Sequence, residues 1–355
     1  MIVRRKPFGW RTFAQGLREI VRRERDSDVK LPWSTRLKVW RRGFLSTSYV
    51  LYGAERASMS DYVPDFAHLL FARRINGDLE AFDNKLLFRA IYGAILEIPE
   101  NLCLIDTGRV VPLVDSPIRT DDFGSLLEVC KANGGCVWKP LRGRGGQDVY
   151  VIRFSDHGIT LNGAVADEAA LRELSKTRRD FLVTTIAEQG TYISSIFPHS
   201  VSTVRVNTVV DPATGKAFVS EAFHRIGTAA SAPVDNWSQG GLLAPIDVDT
   251  GRIGRASAKP VNGTLRWVDT HPDTGAQILG VVIPCWRQVI AGLIAATESY
   301  REMYTAAWDV VVREDGWCVL EANNFPDIDA RQLTGGLLRD ERMSRFYQHH
   351  EVLMR

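Results

Sequence analysis

The sequence predicts an α+β fold made of two or three subdomains. The chain has 355 residues, which exceeds what one hydrophobic core usually serves. Hydrophobic residues make up 45% and charged residues 24%, as in ordinary globular proteins. From about residue 102, short strand-like segments dominate and helices are interspersed among them. This order lacks the regular strand–helix alternation of a doubly wound parallel sheet, so an α+β arrangement is expected.

The individual elements follow from apolar periodicity and from residues that begin or end helices. Apolar residues at spacings of three and four predict an amphipathic basic helix over 10–25, which Leu31-Pro32 separates from a second short basic helix. A third helix is expected to begin at Asn84-Lys85, with Asp83 as its cap. The other predicted elements are strands at 102–106, 136–140, 148–154, 181–187, 201–210, 217–227, 308–312 and 317–323, and helices at 167–178 and 284–305.

The formal net charge of +2 conceals two regions of opposite sign. Residues 1–42 carry 13 basic and four acidic side chains, a net of +9, whereas the other 313 carry 31 basic and 38 acidic ones, a net of −7. Such an asymmetry predicts a basic element that meets an anionic partner. We expect it either to pack against the acidic remainder or to attract an anionic acceptor or the inner membrane surface. Nucleic acid is not expected, because no aromatic-and-basic recognition motif accompanies the charge.

Several protein classes are excluded by the same composition. No stretch approaches the roughly 18 uninterrupted apolar residues of a membrane-spanning helix, and the N-terminal residues lack the apolar core of a signal peptide. Five cysteines, an odd number without paired C-x-x-C spacing, are interpreted as thiols of a reducing cytoplasm. A cytoplasmic location is therefore expected, and the oligomeric state is left open.

The segment 308–327 (WDVVVREDGWCVLEANNFPD) contains a candidate metal site. Glu314-Asp315-Gly316 fits a three-residue hairpin loop with the glycine in the left-handed position. Centring the hairpin on Asp315 sets Asp309 opposite Glu321, with Asn323 on the same face. Facing carboxylates destabilise a hairpin unless a cation lies between them, and hard oxygen ligands suit Mg²⁺. Ordinary surface acids are the alternative, which the apolar flanks disfavour.

The segment 137–152 (VWKPLRGRGGQDVYVI) contains a candidate phosphate site. Lys139 lies in an apolar strand before a loop with three glycines, whose backbone N–H groups can approach phosphate oxygens. The Walker and Rossmann patterns are rejected, because a strand rather than a helix follows the loop. On the residues alone, a plain glycine-rich hairpin explains the segment equally well.

Two arginines lie within apolar strands, Arg205 in STVRVNT and Arg225 in FHRIG. A buried guanidinium is costly unless it is paired or binds an anion. A structural ion pair is the alternative for each, and for Arg225 taken alone it is the preferred one. Lys85 taken alone would be a surface lysine of its helix.

Taken in chain order, these features resemble the ATP-grasp superfamily and, more narrowly, the sugar-transfer-associated ATP-grasp family. The resemblance covers about 80–350, with WRRGF at 40–44 as a weaker extension. It is based on FDNKLLFRAI (82–91), VWKPLRGRGGQDV (137–149), SVSTVRVNTVV (200–210), HRIG…VDNWSQGGL (224–242), HPDTGAQILGVVIPCW (271–286) and WDVVV with VLEANNFPD.

The resemblance implies that two α+β subdomains sandwich MgATP. In this interpretation residues 1–80 form a basic helical N-terminal region, 81–186 the subdomain with the glycine-rich flap, and 187–355 the subdomain with the metal site. The implied phosphate-side residues are Lys85, Lys139, Arg142, Gly143, Gly145 and Gly146; the implied adenine-side hinge is Val183, Thr184, Thr185 and Ile186; the implied magnesium ligands are Asp309, Glu321 and Asn323; and Arg205 and Arg225 would face the transferring anion.

The implied activity is an ATP-dependent carboxylate ligase, with a carboxylate and an amine or related nucleophile as substrates. The implied intermediate is an acylphosphate, and polysaccharide or natural-product biosynthesis is the associated context. A phosphotransferase acting on a hydroxyl and a non-catalytic nucleotide-binding scaffold of a glycan-assembly complex are the alternatives. On the substrate side, Asp235, Asn236, Gly240 and Gly241 form a loop that could close over an acceptor or equally be a strand connection.

Two positions depart from related families. The hinge often carries an acidic residue, where this sequence has Thr184 and Thr185. D-alanine–D-alanine ligases have an arginine two places before the first metal aspartate, where this sequence has Ala307. Arg205 or Arg225 would then have to stabilise the tetrahedral intermediate.

Overall fold

A computed structural model describes residues 9–53, 58–76, 80–143, 148–260 and 264–353. The described chain forms two antiparallel sheets with helices packed against them, so the predicted α+β class is confirmed. None of the described helices is both long enough and apolar enough to cross a membrane.

The first sheet contains strands from residues 101–184 in the order β2-β1-β7-β3-β4-β5-β6. Its core includes Trp138 and Leu102, which are fully buried against helices that flank the sheet. The strands are β1 (Asn101–Asp106), β2 (Arg109–Pro112), β3 (Gly135–Pro140), β4 (Tyr150–Ser155), β5 (Gly158–Leu161), β6 (Ala164–Ala166) and β7 (Phe181–Thr184).

The second sheet contains strands from residues 203–323 in the order β12-β11-β10-β9-β8-β13-β14. One face packs on a long helix through residues such as Trp308 and Val289. The strands are β8 (Thr203–Val210), β9 (Ala217–Ile226), β10 (Leu242–Ile246), β11 (Ala256–Ala258), β12 (Trp267–Val268), β13 (Thr305–Val312) and β14 (Trp317–Asn323).

The helices cover the faces of the sheets and build the N-terminal region. The α-helices are α1 (Trp10–Arg25), α2 (Trp33–Arg41), α3 (Ser46–Leu51), α4 (Asp65–Phe71), α5 (Glu80–Asp83), α6 (Lys85–Tyr92), α7 (Phe123–Ala132), α8 (Glu168–Lys176), α9 (Thr191–Ser194), α10 (Trp286–Ser299), α11 (Ile328–Arg331) and α12 (Glu341–His349). Short 3₁₀ turns lie at Met59–Asp61, Ala72–Arg74, Trp237–Gln239 and Leu337–Arg339.

The basic N-terminal region packs on the second sheet. Val39 and Phe44 share a buried cluster with Phe223 of β9 and Leu243 of β10. Within the region α1 lies so close to α4 that a Cβ atom added at Gly16 would be 2.5 Å from the carbonyl oxygen of Leu69. The expected packing against the remainder of the chain is thus present.

Several predicted boundaries are wrong. The cap of α6 is Asn84, whose side chain accepts hydrogen bonds from the N–H groups of Leu86 (3.0 Å) and Leu87 (3.4 Å), and not Asp83. The helix predicted over 284–305 ends at Ser299, because Thr305 already pairs with Val209 of β8. Sheet pairing here prevails over the apolar periodicity.

The hairpin of β13 and β14 differs from prediction at its loop. The N–H of Arg313 donates to the carbonyl of Gly316 at 2.8 Å, so only Glu314 and Asp315 form the loop, and Gly316 is not in the left-handed region. A bulge between Asp309 and Val310 then shifts the register by one residue. This bulge restores the predicted opposition of Asp309 and Glu321.

Candidate functional site

A cavity lies between the two sheets and collects most of the predicted site residues. The first sheet contributes positions on β3, β4 and β7, and the second contributes positions on β8, β9, β13 and β14. The predicted residues that line the cavity are Lys85, Lys139, Gly143, Thr184, Thr185, Ile186, Arg225, Asp235, Asp309 and Glu321.

Asp309 is the centre of the charged part of this cavity. It lies on β13, where it is paired across the sheet with Arg205 of β8 on one side and Glu321 of β14 on the other. Arg205 donates to it through Nε and Nη2, at 2.8 and 2.7 Å, and Arg225 donates through Nη1 at 3.1 Å. Burial alone would raise the pKa of Asp309, but Arg205 and Arg225 together hold that pKa below its usual value. Asp309 is therefore ionised at neutral pH.

Arg225 joins Asp309 to a second buried carboxylate. Its Nη2 atom lies 2.7 Å from Asp235, whose other oxygen accepts hydrogen bonds from the backbone N–H and hydroxyl of Thr203, at 2.7 and 2.5 Å. Burial raises the pKa of Asp235, while the charge of Arg225 opposes that rise. The structural ion pair considered for each arginine is thus present for both. Arg225 lines the cavity, whereas Arg205 does not.

The metal candidates of β14 lie beside this group. Glu321 is the partly exposed member, with its Oε2 atom 3.8 Å from Nζ of Lys85 and its Oε1 atom 3.4 Å from Nδ2 of Asn323. Asn323 pairs with Ala307 of β13 and does not itself line the cavity. Among the described residues, no three His, Cys, Asp or Glu side chains form a metal-binding group, so the candidate set consists of two carboxylates and one amide.

Lys139 and Lys85 provide positive charge in the same cavity. Lys139 lies on β3 opposite Leu182 of β7, in a strand whose neighbours are apolar. Burial lowers the pKa of Lys139 to about 8, and repulsion from Lys85 adds to the effect, whereas Glu321 opposes it. In the part of the chain described by the structure, no carboxylate lies within ion-pair distance of Lys139. An incoming anion would favour the protonated, positively charged form of Lys139.

Three of the four predicted hinge residues, Thr184, Thr185 and Ile186, line the cavity. Val183 is fully buried in the core of the first sheet and does not line the cavity. The strand predicted to run to 187 ends at Thr184, and Thr185 continues its pairing by donating its N–H to the carbonyl of Glu100 at 2.9 Å. The Thr185 hydroxyl in turn accepts the N–H of Glu100 at 2.9 Å. Ile186 and Ala187 are the residues that continue along the cavity wall.

An apolar part of the cavity was not predicted. Its side chains come from both sheets and from the loops between them, so that no local sequence pattern indicates that they meet. Alternation along β3 could have suggested Val137, which lies two residues before Lys139. The unpredicted lining residues are Pro99, Val137, Pro140, Val149, Val151, Ala187, Val201, Thr203, Pro233, Val234 and Leu320.

The remaining predicted residues lie outside the cavity lining. In the 235–241 loop, Asn236 accepts the N–H of Ser238 at 3.0 Å, and Gly240 has a left-handed φ of 104°. A Cβ added at Gly241 would lie 2.6 Å from the carbonyl oxygen of Asp235. These features belong to the strand connection, and only Asp235 reaches the cavity. Arg142 is exposed and forms an isolated bridge with Asn84, whereas Gly145 and Gly146 lie outside the described residues.

Comparison with known families identifies the same region. A family model described as sugar-transfer associated ATP-grasp matches residues 68–345. No curated protein matches the chain. The match spans both sheets and includes every predicted site residue.

Solved structures show distant likenesses to the chain. N5-carboxyaminoimidazole ribonucleotide synthetase in its ADP complex is 14% identical, with coverage of 71% of this chain and 47% of that one and a TM-score of 0.38. The ATP-grasp ligase PsnB with a minimal precursor is 14% identical, with coverages of 89% and 75% and a TM-score of 0.39. D-alanine–D-alanine ligase from Bacillus anthracis with ATP is 12% identical, with coverages of 76% and 68% and a TM-score of 0.37. The chain spans about half the length of the first of these.

Proposed function

The chain belongs to the sugar-transfer-associated ATP-grasp family, and on this premise we propose that it is an ATP- and Mg²⁺-dependent carboxylate ligase. One observation supports this proposal above the others. A single cavity between two sheets holds the carboxylates of Asp309 and Glu321 together with the cations Lys85 and Lys139. Groups of both charges in one cavity suit a metal–polyphosphate ligand, which needs both oxygen donors and positive charge.

The nucleotide would lie along the cavity with its base at the apolar end. Val137 and Val151 of the first sheet and Leu320 of the second supply apolar walls that suit a planar base. Backbone groups of Thr185 to Ala187 lie where the chain leaves the sheet and would bind the edge of the base. Lys139 and Lys85 would neutralise phosphate oxygens. In this proposal 81–186 and 187–355 are the two subdomains that enclose the nucleotide.

The side chains present fit magnesium. Asp309 and Glu321 face each other on adjacent strands, and Asn323 adds an amide oxygen two residues along β14. Asp309 is held ionised, as a metal ligand must be. Bound magnesium would neutralise negative charge on the transferring phosphoryl group. Because both oxygens of Asp309 already accept from arginines, we expect those guanidinium groups to exchange some of these contacts for anionic substrate oxygens.

The chemistry we propose is activation of a carboxylate. The carboxylate oxygen attacks the γ-phosphorus of ATP, the bond to the bridging oxygen breaks, and ADP leaves as an acylphosphate forms. An amine or related nucleophile then attacks the acyl carbon and releases phosphate. Arg205 and Arg225 would hold the carboxylate and the transferred phosphoryl oxygens in line, which lowers the barrier without a protein nucleophile. The cysteines need no part in this scheme.

The biological setting is proposed from the family description alone. Association with sugar transfer suggests polysaccharide, surface-glycan or natural-product biosynthesis, and the need for ATP suggests that the reaction occurs in the cytoplasm. Both remain proposals about context, because function depends on the site rather than on the fold.

The experiment is a screen for ADP release with a panel of carboxylic acids, each tested alone and with amines. Hydroxylamine is included because it captures an acylphosphate as a hydroxamate. We expect one acid to give ADP and a hydroxamate in equal amounts. A stable phosphorylated product without hydroxamate would instead establish a phosphotransferase that acts on a hydroxyl.

The Glu321→Gln variant distinguishes catalysis from scaffolding. It keeps the size and hydrogen-bonding capacity of the side chain but removes one carboxylate charge from the proposed metal site. We expect ADP release to fall by about 100-fold or more, as for loss of a group that stabilises developing charge. If cells that contain only this variant still make the glycan or other end product of the biosynthetic pathway at the normal level, the protein acts as a nucleotide-binding scaffold.

A further inference from the structure

Two helices of the basic N-terminal region carry large apolar side chains on their solvent face. On α1, Leu17 and Val21 are 44% and 65% exposed, and on α2, Trp33 and Leu37 are 72% and 54% exposed. Each pair is four residues apart, which places its members on one face of the helix. Trp10 lies seven residues before Leu17, contacts Phe13 edge-on and is 76% exposed. Large apolar side chains that are exposed together on one helix face are typical of an interaction site.

This surface borders the one that packs α1 on the protein. The buried positions of α1 are Gly16 and Glu24, and Gly16 is the point of closest approach to α4. At about 100° per residue, Leu17 and Val21 lie about 100° and 140° around the helix from Gly16. Glu24 lies on the side of Leu17, but it is covered at the end of α1, where it accepts from Arg36 and from the N–H of Ser46. The exposed apolar face therefore lies beside the packed face of α1 without coinciding with it.

Basic side chains follow one flank of the same face. On α1 they recur at spacings of seven, four and three, which keeps them on one side of the helix. Lys38 and Arg41 extend the exposed positive charge along α2. Of the α1 group, two share their charge with neighbouring acids, Glu19 and Asp26. The α1 residues are Arg11, Arg18, Arg22 and Arg25.

The two helices are tied together at the end of α1. The Arg36 side chain donates to Glu24 at 2.7 Å, and its guanidinium lies 5.6 Å from the centre of the Trp33 ring and 5.1 Å from that of Trp40. The tryptophans of α2 are thus held near the C-terminal end of α1. This contact joins α1 and α2 within one packed region.

We propose that the exposed apolar face of α1 and α2, defined by Leu17, Val21, Trp33 and Leu37, docks on an anionic phospholipid surface. Apolar side chains with tryptophan suit the boundary between lipid headgroups and acyl chains, and flanking arginines are attracted by the negative surface. A protein partner would explain the apolar residues equally well but would not require the run of arginines. The net of +9 over residues 1–42 favours the lipid. This inference does not depend on the proposed enzymatic activity.

The test is co-sedimentation of the full-length protein with vesicles. The protein should bind vesicles that contain phosphatidylglycerol, bind pure phosphatidylcholine far less, and dissociate as salt screens the charges. A variant with Leu17→Ser, Val21→Ser and Leu37→Ser should bind the anionic vesicles about tenfold or more weakly, because the apolar contact is lost. The matched control is Val114→Ser with Val165→Ser, since these side chains are 90% and 94% exposed on the first subdomain. The control should bind as the unchanged protein does.

A charge variant keeps the proposal testable if the serine variant folds poorly. Arg11→Glu with Arg18→Glu changes two exposed residues and should also weaken binding to anionic vesicles. Failure of the unchanged protein to bind anionic vesicles would overturn the proposal, as would equal binding to neutral ones. Equal weakening by the control would also overturn it. So would a self-associated state in solution that the serine changes dissociate, because the face would then bind a second copy.

Discussion

Arg205 and Asp309 form a two-pronged ion pair across adjacent strands, with nitrogen–oxygen distances of 2.8 and 2.7 Å. Arg225 adds a third contact to the same carboxylate at 3.1 Å. Two guanidinium groups are thus directed at one buried acid that is also the first proposed metal ligand. The two guanidinium groups therefore place positive charge next to the site where, in our proposal, phosphoryl oxygens become more negative.

Replacing Asp309 by asparagine should weaken the fold. The change leaves Arg205 without a charged partner, and loss of one member of a buried pair costs about 3 kcal/mol in the free energy of unfolding. Added phosphate should restore more stability to D309N than to the unchanged protein, because an anion replaces the lost carboxylate. Urea denaturation measures both effects. The control is D315N on the exposed hairpin loop, and equal stability of the two variants would contradict the account.

The pKa of Lys139 predicts how stability depends on pH. Its pKa is about 8 in the folded protein and 10.5 for a free lysine. Between these values the unfolded chain binds more protons than the folded one, so the Lys139 contribution to the free energy of unfolding increases with pH. Chemical denaturation from pH 7.5 to 10.5, compared with Lys139→Met, should show this difference. An identical pH dependence in both proteins would exclude the low pKa.

The same lysine predicts the opposite trend for ATP affinity. Phosphate oxygens favour the protonated form, so affinity should fall by about tenfold from pH 7 to pH 9 as the proton is lost. Lys139→Arg keeps the positive charge over this range and should abolish most of the fall. Calorimetric titration with ATP measures the affinity. An affinity that falls equally in both proteins would mean that another group controls binding.

Gly16→Ala tests the packing of the N-terminal region. The new Cβ would lie 2.5 Å from the carbonyl oxygen of Leu69 and 3.1 Å from Cα of Leu70, both backbone atoms that cannot rotate away. We expect the free energy of unfolding to fall by about 2 kcal/mol, since a crowded contact outweighs the better helix propensity of alanine. Gln15→Ala, one residue earlier and exposed, is the control and should be neutral or stabilising. A G16A variant as stable as Q15A would show that α1 and α4 can separate at no cost.

The sequence predicted well those structural features that depend on a single segment of the chain. The limits of α1 at Trp10 and Arg25 are confirmed, because its periodicity extends over the whole helix. The opposition of Asp309 and Glu321 is also confirmed, but the predicted loop is wrong. The loop is one residue shorter, and a bulge compensates for the difference. A three-residue loop and a two-residue loop with a bulge both place Asp309 opposite Glu321, and the sequence pattern does not distinguish them.

Features that depend on two distant segments were predicted less well. The side chain of Val183 is buried because its strand is central in its sheet, so a role in the hinge would use its backbone. Leu320 and Val151 line the same cavity only because the two sheets face each other. The contact between Gly16 and Leu69 is equally invisible in either segment alone. Such juxtapositions are set by tertiary packing rather than by local periodicity.

The most direct test of the central claim is oxygen transfer from substrate to phosphate. The acid that supports ADP release is labelled with ¹⁸O in its carboxylate and incubated with the protein, Mg²⁺, ATP and the nucleophile. If the carboxylate attacks the γ-phosphorus, each released phosphate carries one labelled oxygen, which mass spectrometry detects. Unlabelled phosphate, or phosphate that remains on the product, would contradict the proposed carboxylate activation.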